Sequence, residues 1–341
     1  QFFESQFRLA AEKDALATQL SRHEQNHLAE KQHWLNAFYL SEKLRDACEL
    51  HQRSKLLNLI FEDSLLEKLV SELEENRQRF ADLPPVAVYF HLYKMLKSND
   101  LALYNQTLEE VRAHENALPK GDLQNVYNYL QNFCIEQINK GNQAFLEKLF
   151  GIYRSQLEME LIFLDGYLPE WHFKNIVTTG LRLGEHEWVR QFLENYRQRL
   201  HPEAAENAYR YNLAAWNHHL GRFDEAMRLL LQVEFTDLRY NLDAKSMLLR
   251  TYFDLEEEEA LLALTEAFQQ FLKRNKTLSD FQKRGYFNLL KFTRRAFRLK
   301  MSKGFVKVEK WLAEVEKLEK DMEEAETIFN QSWLEGKVKG L

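Results

Sequence analysis

The sequence predicts an all-α protein made of stacked two-helix units. Three observations predict it: each proline stands where a helix should begin, apolar residues recur at spacings of three and four, and short polar or glycine-containing breaks return every 35 to 48 residues. Eleven glycines and five prolines in 341 residues make turns scarce and elements long. No stretch sustains the period-two alternation of a half-buried strand. With 45% hydrophobic and 13% aromatic residues, the chain has enough apolar material to fold throughout.

Residues 1–80 carry long, highly charged amphipathic stretches, Glu12 to Leu40 and Glu62 to Phe80. Their periodicity fits a helical hairpin, a coiled-coil-like arm or diverged repeats equally well. Residues 81–275 read as helical repeats. Pro84 and Pro85 precede VAVYFHLYKML, Pro119 precedes DLQNVYNYL, Pro169 precedes EWHFKNIV and Pro202 precedes EAAENAYRYNLAAW. A missing N–H costs least in a first helical turn, so these prolines mark boundaries of unkinked helices. The apolar stripes are Leu123, Val126, Tyr127, Leu130, Cys134 and Ile138, and then Leu213, Trp216, Leu220 and Phe223. Asn99, Gly141, Gly184, Gly221, Glu256 and Gly304 mark the recurrent turns. Their spacing is that of an α-solenoid, in which no helix pair covers its own apolar face and each stacks on its neighbours. Residues 276–341 read as a basic helix followed by a long polar-faced helix from Val308, which would cap the last unit, and the whole chain is expected to form one continuous solenoid.

Within this pattern, Leu213 to Ala226 resembles a tetratricopeptide repeat. Leu213 and Ala214 place a large residue beside a small one, Gly221 makes the turn, Phe223 packs below it and Ala226 is the small residue of the second helix. Gly184 with Val189 and Leu193, and Leu248, Tyr252, Leu261 and Phe268, extend the likeness over roughly residues 122 to 275. The resemblance implies a right-handed superhelix of antiparallel helix pairs and a tendency to bind proteins. Groove candidates, chosen on first helices away from the packing positions, are Arg210, Asn212, Trp216, His219 and Lys245. Affinity in such a groove comes from a few aromatic and arginine anchors.

Two motifs carry other chemistry. His23-Glu24-Gln25-Asn26-His27 has the H-E-x-x-H spacing that puts two histidines on one helix face, where they could share zinc with Glu24 as the base for a bound water. His33 falls where one metalloprotease superfamily has its third ligand, yet Glu30 occupies the required glycine position. On a straight helix His33 points roughly 120° away from His27. The reading preferred for His23 and His27 is a solvated helix face, with no metal and no cofactor. The second motif is the basic segment 273–307, where Arg284, Lys291, Arg295 and Arg298 form one cationic stripe on a helix. An acidic protein partner, nucleic acid or an anionic membrane would suit it. The competing reading is internal neutralisation by the acidic runs Glu256 to Glu259 and Asp321 to Glu326.

Cys48 and Cys134 are too few for a disulfide framework and point to a reducing, cytoplasmic location as small buried hydrophobes. No apolar run reaches membrane-span length, and a net charge of −6 implies no general preference for polyanions. No phosphate loop, nucleophile elbow or dinucleotide fingerprint is present, and no acid–base pair stands out. The sequence therefore predicts a non-enzymatic helical-repeat scaffold that binds a protein or peptide. The alternatives are a zinc-dependent hydrolase and a polyanion-associated subunit.

Overall fold

A computed structural model describes residues 2–19, 27–57, 64–76, 82–233 and 238–341. Among these residues the regular structure is helical, apart from isolated bridge pairing at Leu164 and Tyr167. The chain forms two compact units, Gln1–Asp165 and Gly166–Leu341, a division that falls inside the segment 81–275. None of the described helices is long and apolar enough to cross a membrane.

The N-terminal unit contains α1 (Phe2–Gln19), α2 (His27–Leu57), α3 (Ser64–Glu75), α4 (Pro84–Ser98), α5 (Leu101–His114), α6 (Lys120–Asn139) and α7 (Phe145–Glu158). In its charged beginning α1 packs along α2, and α2 in turn packs on α4. Then α4 packs on α5 and α6 on α7, with α6 touching both members of the earlier pair. The rings of Tyr104, Phe133 and Phe145 meet at centroid distances of 5.3 to 5.9 Å in this core. Cys48 and Cys134 lie within it as free thiols.

The C-terminal unit contains α8 (Glu170–Leu183), α9 (His186–Tyr196), α10 (Pro202–His219), α11 (Phe223–Leu230), α12 (Leu238–Leu255), α13 (Glu258–Arg274), α14 (Asp280–Ser302), α15 (Val308–Glu323) and α16 (Gln331–Lys339). Consecutive members pack in pairs, and α10 also packs on α8 and α12. Ala214 and Ala226, both fully buried, let α10 and α11 approach closely.

The six anticipated turn residues Asn99, Gly141, Gly184, Gly221, Glu256 and Gly304 all have φ between +52° and +94°. The geometry is repetitive. At Gly184, Glu185 N–H donates to Gly180 O at 2.9 Å and Gly184 N–H to Leu181 O at 3.1 Å. The same two bonds recur at Gly141 and Gly221. This is the Schellman ending, in which a left-handed residue lets the chain satisfy the last helical carbonyls and reverse. At the opposite ends, Pro84, Pro85 and Pro202 occupy the first helical positions, while Pro119 and Pro169 directly precede their helices.

Two expectations are corrected. The stripe Leu213, Trp216, Leu220 and Phe223 is half-covered apart from Trp216, because the buried face of α10 is rotated toward Ala208, Tyr211 and Ala214. The C-terminal stretch is two helices, not one. Between them Ile328 is buried, Phe329 N–H donates to Gly285 O at 3.2 Å, and Asn330 takes φ +54°. An apolar residue pair drawn toward α14 breaks the polar helix there.

Candidate functional site

The N-terminal unit holds a pocket of about 630 Å³ where α1, α2 and the starts of α4 and α6 meet. Four of its residues, Trp34, Phe38, Glu42 and Arg45, follow the i, i+4, i+8, i+11 stripe of α2, so one helix face supplies both its aromatic and its ionic lining. Phe2 and Phe3 enter from α1. Their rings stand 6.0 Å from Trp34, Phe2 at 88° and Phe3 at 28° to its plane. Leu83, Pro84 and Pro85 come from the start of α4, and Leu118, Pro119 and Asp122 from the start of α6.

Arg45 organises the ionic side. Its guanidinium meets Glu42 Oε1 at 3.0 Å and Asp122 Oδ1 at 3.4 Å, and it lies 5.8 Å from the Tyr89 ring centroid. Tyr89 O–H donates to Asp122 Oδ1 at 3.3 Å. Burial opposes the Arg45 charge, but the neighbouring carboxylates of Asp122 and Glu42 outweigh it and raise its pKa. Burial and the Asp122 charge likewise push the Tyr89 phenol far up, so it stays protonated. Asp82 lines the pocket from an exposed position with no ion-pair partner among the described residues.

The residues anticipated as groove contacts distribute differently. Asn212 is almost completely buried, its amide donating to Ala208 O at 2.8 Å. Trp216 is buried too, its indole N–H donating to His186 O at 2.9 Å, with Arg190 and Arg222 over its ring at 5.4 and 5.1 Å. The placement of these two away from the packing face is therefore corrected: rotation of α10 turns them inward. Arg210 pairs with Glu206 at 2.8 Å and donates to Gln232 O. His219 is exposed beside His186, and half-buried Lys245 has its ammonium 5.6 Å from the Phe271 ring.

On the basic stripe of α14, Arg284 meets Glu326 at 3.0 Å and Arg295 meets Asp321 at 2.5 Å. Lys300 of the same helix meets Glu256 at 2.8 Å. Both flanking acidic runs thus fold back onto the basic helix, as the neutralisation reading anticipates. Lys291 and Arg298 remain exposed. Phe292 of the same helix is in the core, and Trp171 on α8 is half-exposed. His23 and Glu24 lie outside the described residues. His27, the first residue of α2, has its Nδ1 3.5 Å from Glu30 Oε2, and His33 lies at the pocket edge against Trp34. Among the described residues no group of three or more His, Cys, Asp or Glu side chains is placed to hold a metal ion.

Sequence reasoning did not single out the pocket. Its α2 stripe was legible as a helical spacing, but Asp122 meets Arg45 across 77 residues, and nothing local signals that pairing. No family model, curated protein or solved structure matches the chain.

Proposed function

We propose that this protein is a non-enzymatic helical-repeat scaffold that binds another protein or peptide. Within each unit the helix pairs form a tetratricopeptide-like α-solenoid of antiparallel hairpins with a right-handed winding. The observation that carries this reading is the set of six left-handed turns, each joining two helices that pack on one another, with the pairs packing on the next within each unit. Left-handed turns reverse the chain in every pair, three of them through the same two hydrogen bonds, so that first helices fall on one side and offer side chains to a ligand without opening the core. On α10 and α12 those side chains are Arg210, His219 and Lys245. The basic stripe supports a partner-binding role less, because half of it is neutralised internally.

Photo-crosslinking in native cells tests this. A photoreactive residue at position 210, 219 or 245 is expected to trap a discrete partner. The same residue at the exposed positions of Glu225 or Glu266, on second helices, is expected to trap none. Equal trapping at all positions, or none anywhere, would remove the proposal.

A further inference from the structure

The pocket of the N-terminal unit has a chemistry that selects among ligands. Among the described residues its lining carries Glu42, Asp82 and Asp122 against the single arginine Arg45, a formal charge of −2 with His33 neutral. Arg45 is not free to receive an anion, because its guanidinium is already engaged by Glu42 and by Asp122. A second source of anion affinity is also removed. Helix N-termini attract anions through unpaired N–H groups, but α4 opens with Pro84 and Pro85, which have none, and Val86 and Ala87 both donate to Leu83 O. At α6, Asp122 itself occupies the first turn. Against these carboxylates stand the rings of Phe2, Phe3, Trp34 and Phe38, whose faces attract cations. A volume of about 630 Å³ lies within the roughly 300–1,000 Å³ of ligand-holding sites and is more than one side chain fills.

We infer that this pocket receives a lysine or arginine side chain presented by an extended peptide segment, the cation facing the Glu42, Asp82 and Asp122 carboxylates and the apolar neighbours lying against the Phe2, Phe3, Trp34 and Phe38 rings. The inference rests on the protein-binding reading and adds to it a site in the N-terminal unit with one ligand chemistry.

The experiment uses the full chain labelled with 5-fluorotryptophan, the Trp34 resonance being assigned by its absence in Trp34→Phe. The probes are four acetylated, amidated pentapeptides with a central Lys, Arg, norleucine or Glu between leucines and outer alanines. Lysine and arginine peptides are expected to shift the Trp34 signal saturably. The norleucine peptide, which keeps the stem and lacks the charge, should bind at least about 10-fold more weakly, and the Glu peptide weaker still. Asp82→Asn, an exposed change that leaves the Arg45 network intact, should weaken the lysine peptide roughly 3- to 10-fold and leave norleucine unchanged. Glu42→Gln serves as the second variant, with the same expectation. Equal affinity for lysine and norleucine would make the site merely apolar and overturn the inference. So would preference for Glu, or a Trp34 signal that never moves. The crosslinks at positions 210, 219 and 245 separate the two ideas. Silent Trp34 with crosslinks retained sinks only the pocket, whereas lysine binding without crosslinks sinks only the wider groove.

Discussion

Gly221 and Gly285 are both helix-associated glycines, yet they are needed for different reasons. At Gly221 the backbone is at φ +73° and a Cβ would have open space around it, so the requirement is purely conformational. At Gly285 the backbone is ordinary, and a Cβ would stand 3.0 Å from the Phe329 ring. Gly221→Ala should therefore lower stability by about 1 kcal/mol through backbone strain alone. Gly285→Ala should displace Phe329 and the linker between α15 and α16, and Phe329→Ala should restore tolerance to it. Urea denaturation of the single and double variants checks this: strict additivity at the 285–329 pair would refute the contact argument. Four glycines and Asn99 signal left-handed backbone by residue type, and Glu256 was readable from the polar break around it. Glu160, also left-handed at φ +51°, was not, because it is neither glycine nor asparagine and lies outside the recurrent breaks.

At the scale of elements, α14 shows how local chemistry and long-range packing share the work. Ser279 accepts from Gln282 N–H at 3.2 Å while Gln282 Oε1 accepts from Ser279 N–H at 3.0 Å, a reciprocal capping box. Leu289, Leu290, Thr293 and Phe297 form its buried face, as their spacing predicts. Ser279→Ala should cost about 1 kcal/mol and raise amide exchange in the first turn of α14, with α10 and α11 unaffected. An unchanged exchange pattern at that turn would show the cap to be dispensable. Helix starts and ends were legible because proline and glycine act locally. The rotation of α10, which buries Asn212 and leaves Leu213 and Leu220 half-covered, was not. Which of two moderately apolar faces turns inward depends on the neighbouring helices, and the alanines at 208 and 214 gave too little hydrophobic contrast to decide it.

The stability of the whole chain should depend on pH through two histidines of the C-terminal unit. Burial pushes His172 from the usual 6.5 down to about 4. Burial, and then the charges of Arg250, Lys337 and His219, push His218 down to about 3. Unfolding returns both to the ordinary value, so below pH 6.5 the unfolded chain takes up protons that the folded chain refuses. Their contribution is intact above pH 6.5 and is lost progressively toward pH 4 and pH 3. Between pH 7 and pH 5 each histidine should withdraw roughly 1–2 kcal/mol. The urea midpoint should fall over that interval, and His172→Gln or His218→Gln should flatten the fall. A midpoint equally steep in both variants would assign the acid sensitivity elsewhere. The all-helical class was legible from composition and periodicity, because scarce glycine and proline and a three-four spacing leave no room for sheets. The pocket was not, since it arises where four segments separated in sequence converge.

The repeated left-handed turn has an evolutionary corollary. Each reversal is closed by hydrogen bonds within half a dozen neighbouring residues, so a duplicated hairpin arrives with its own hinge already formed.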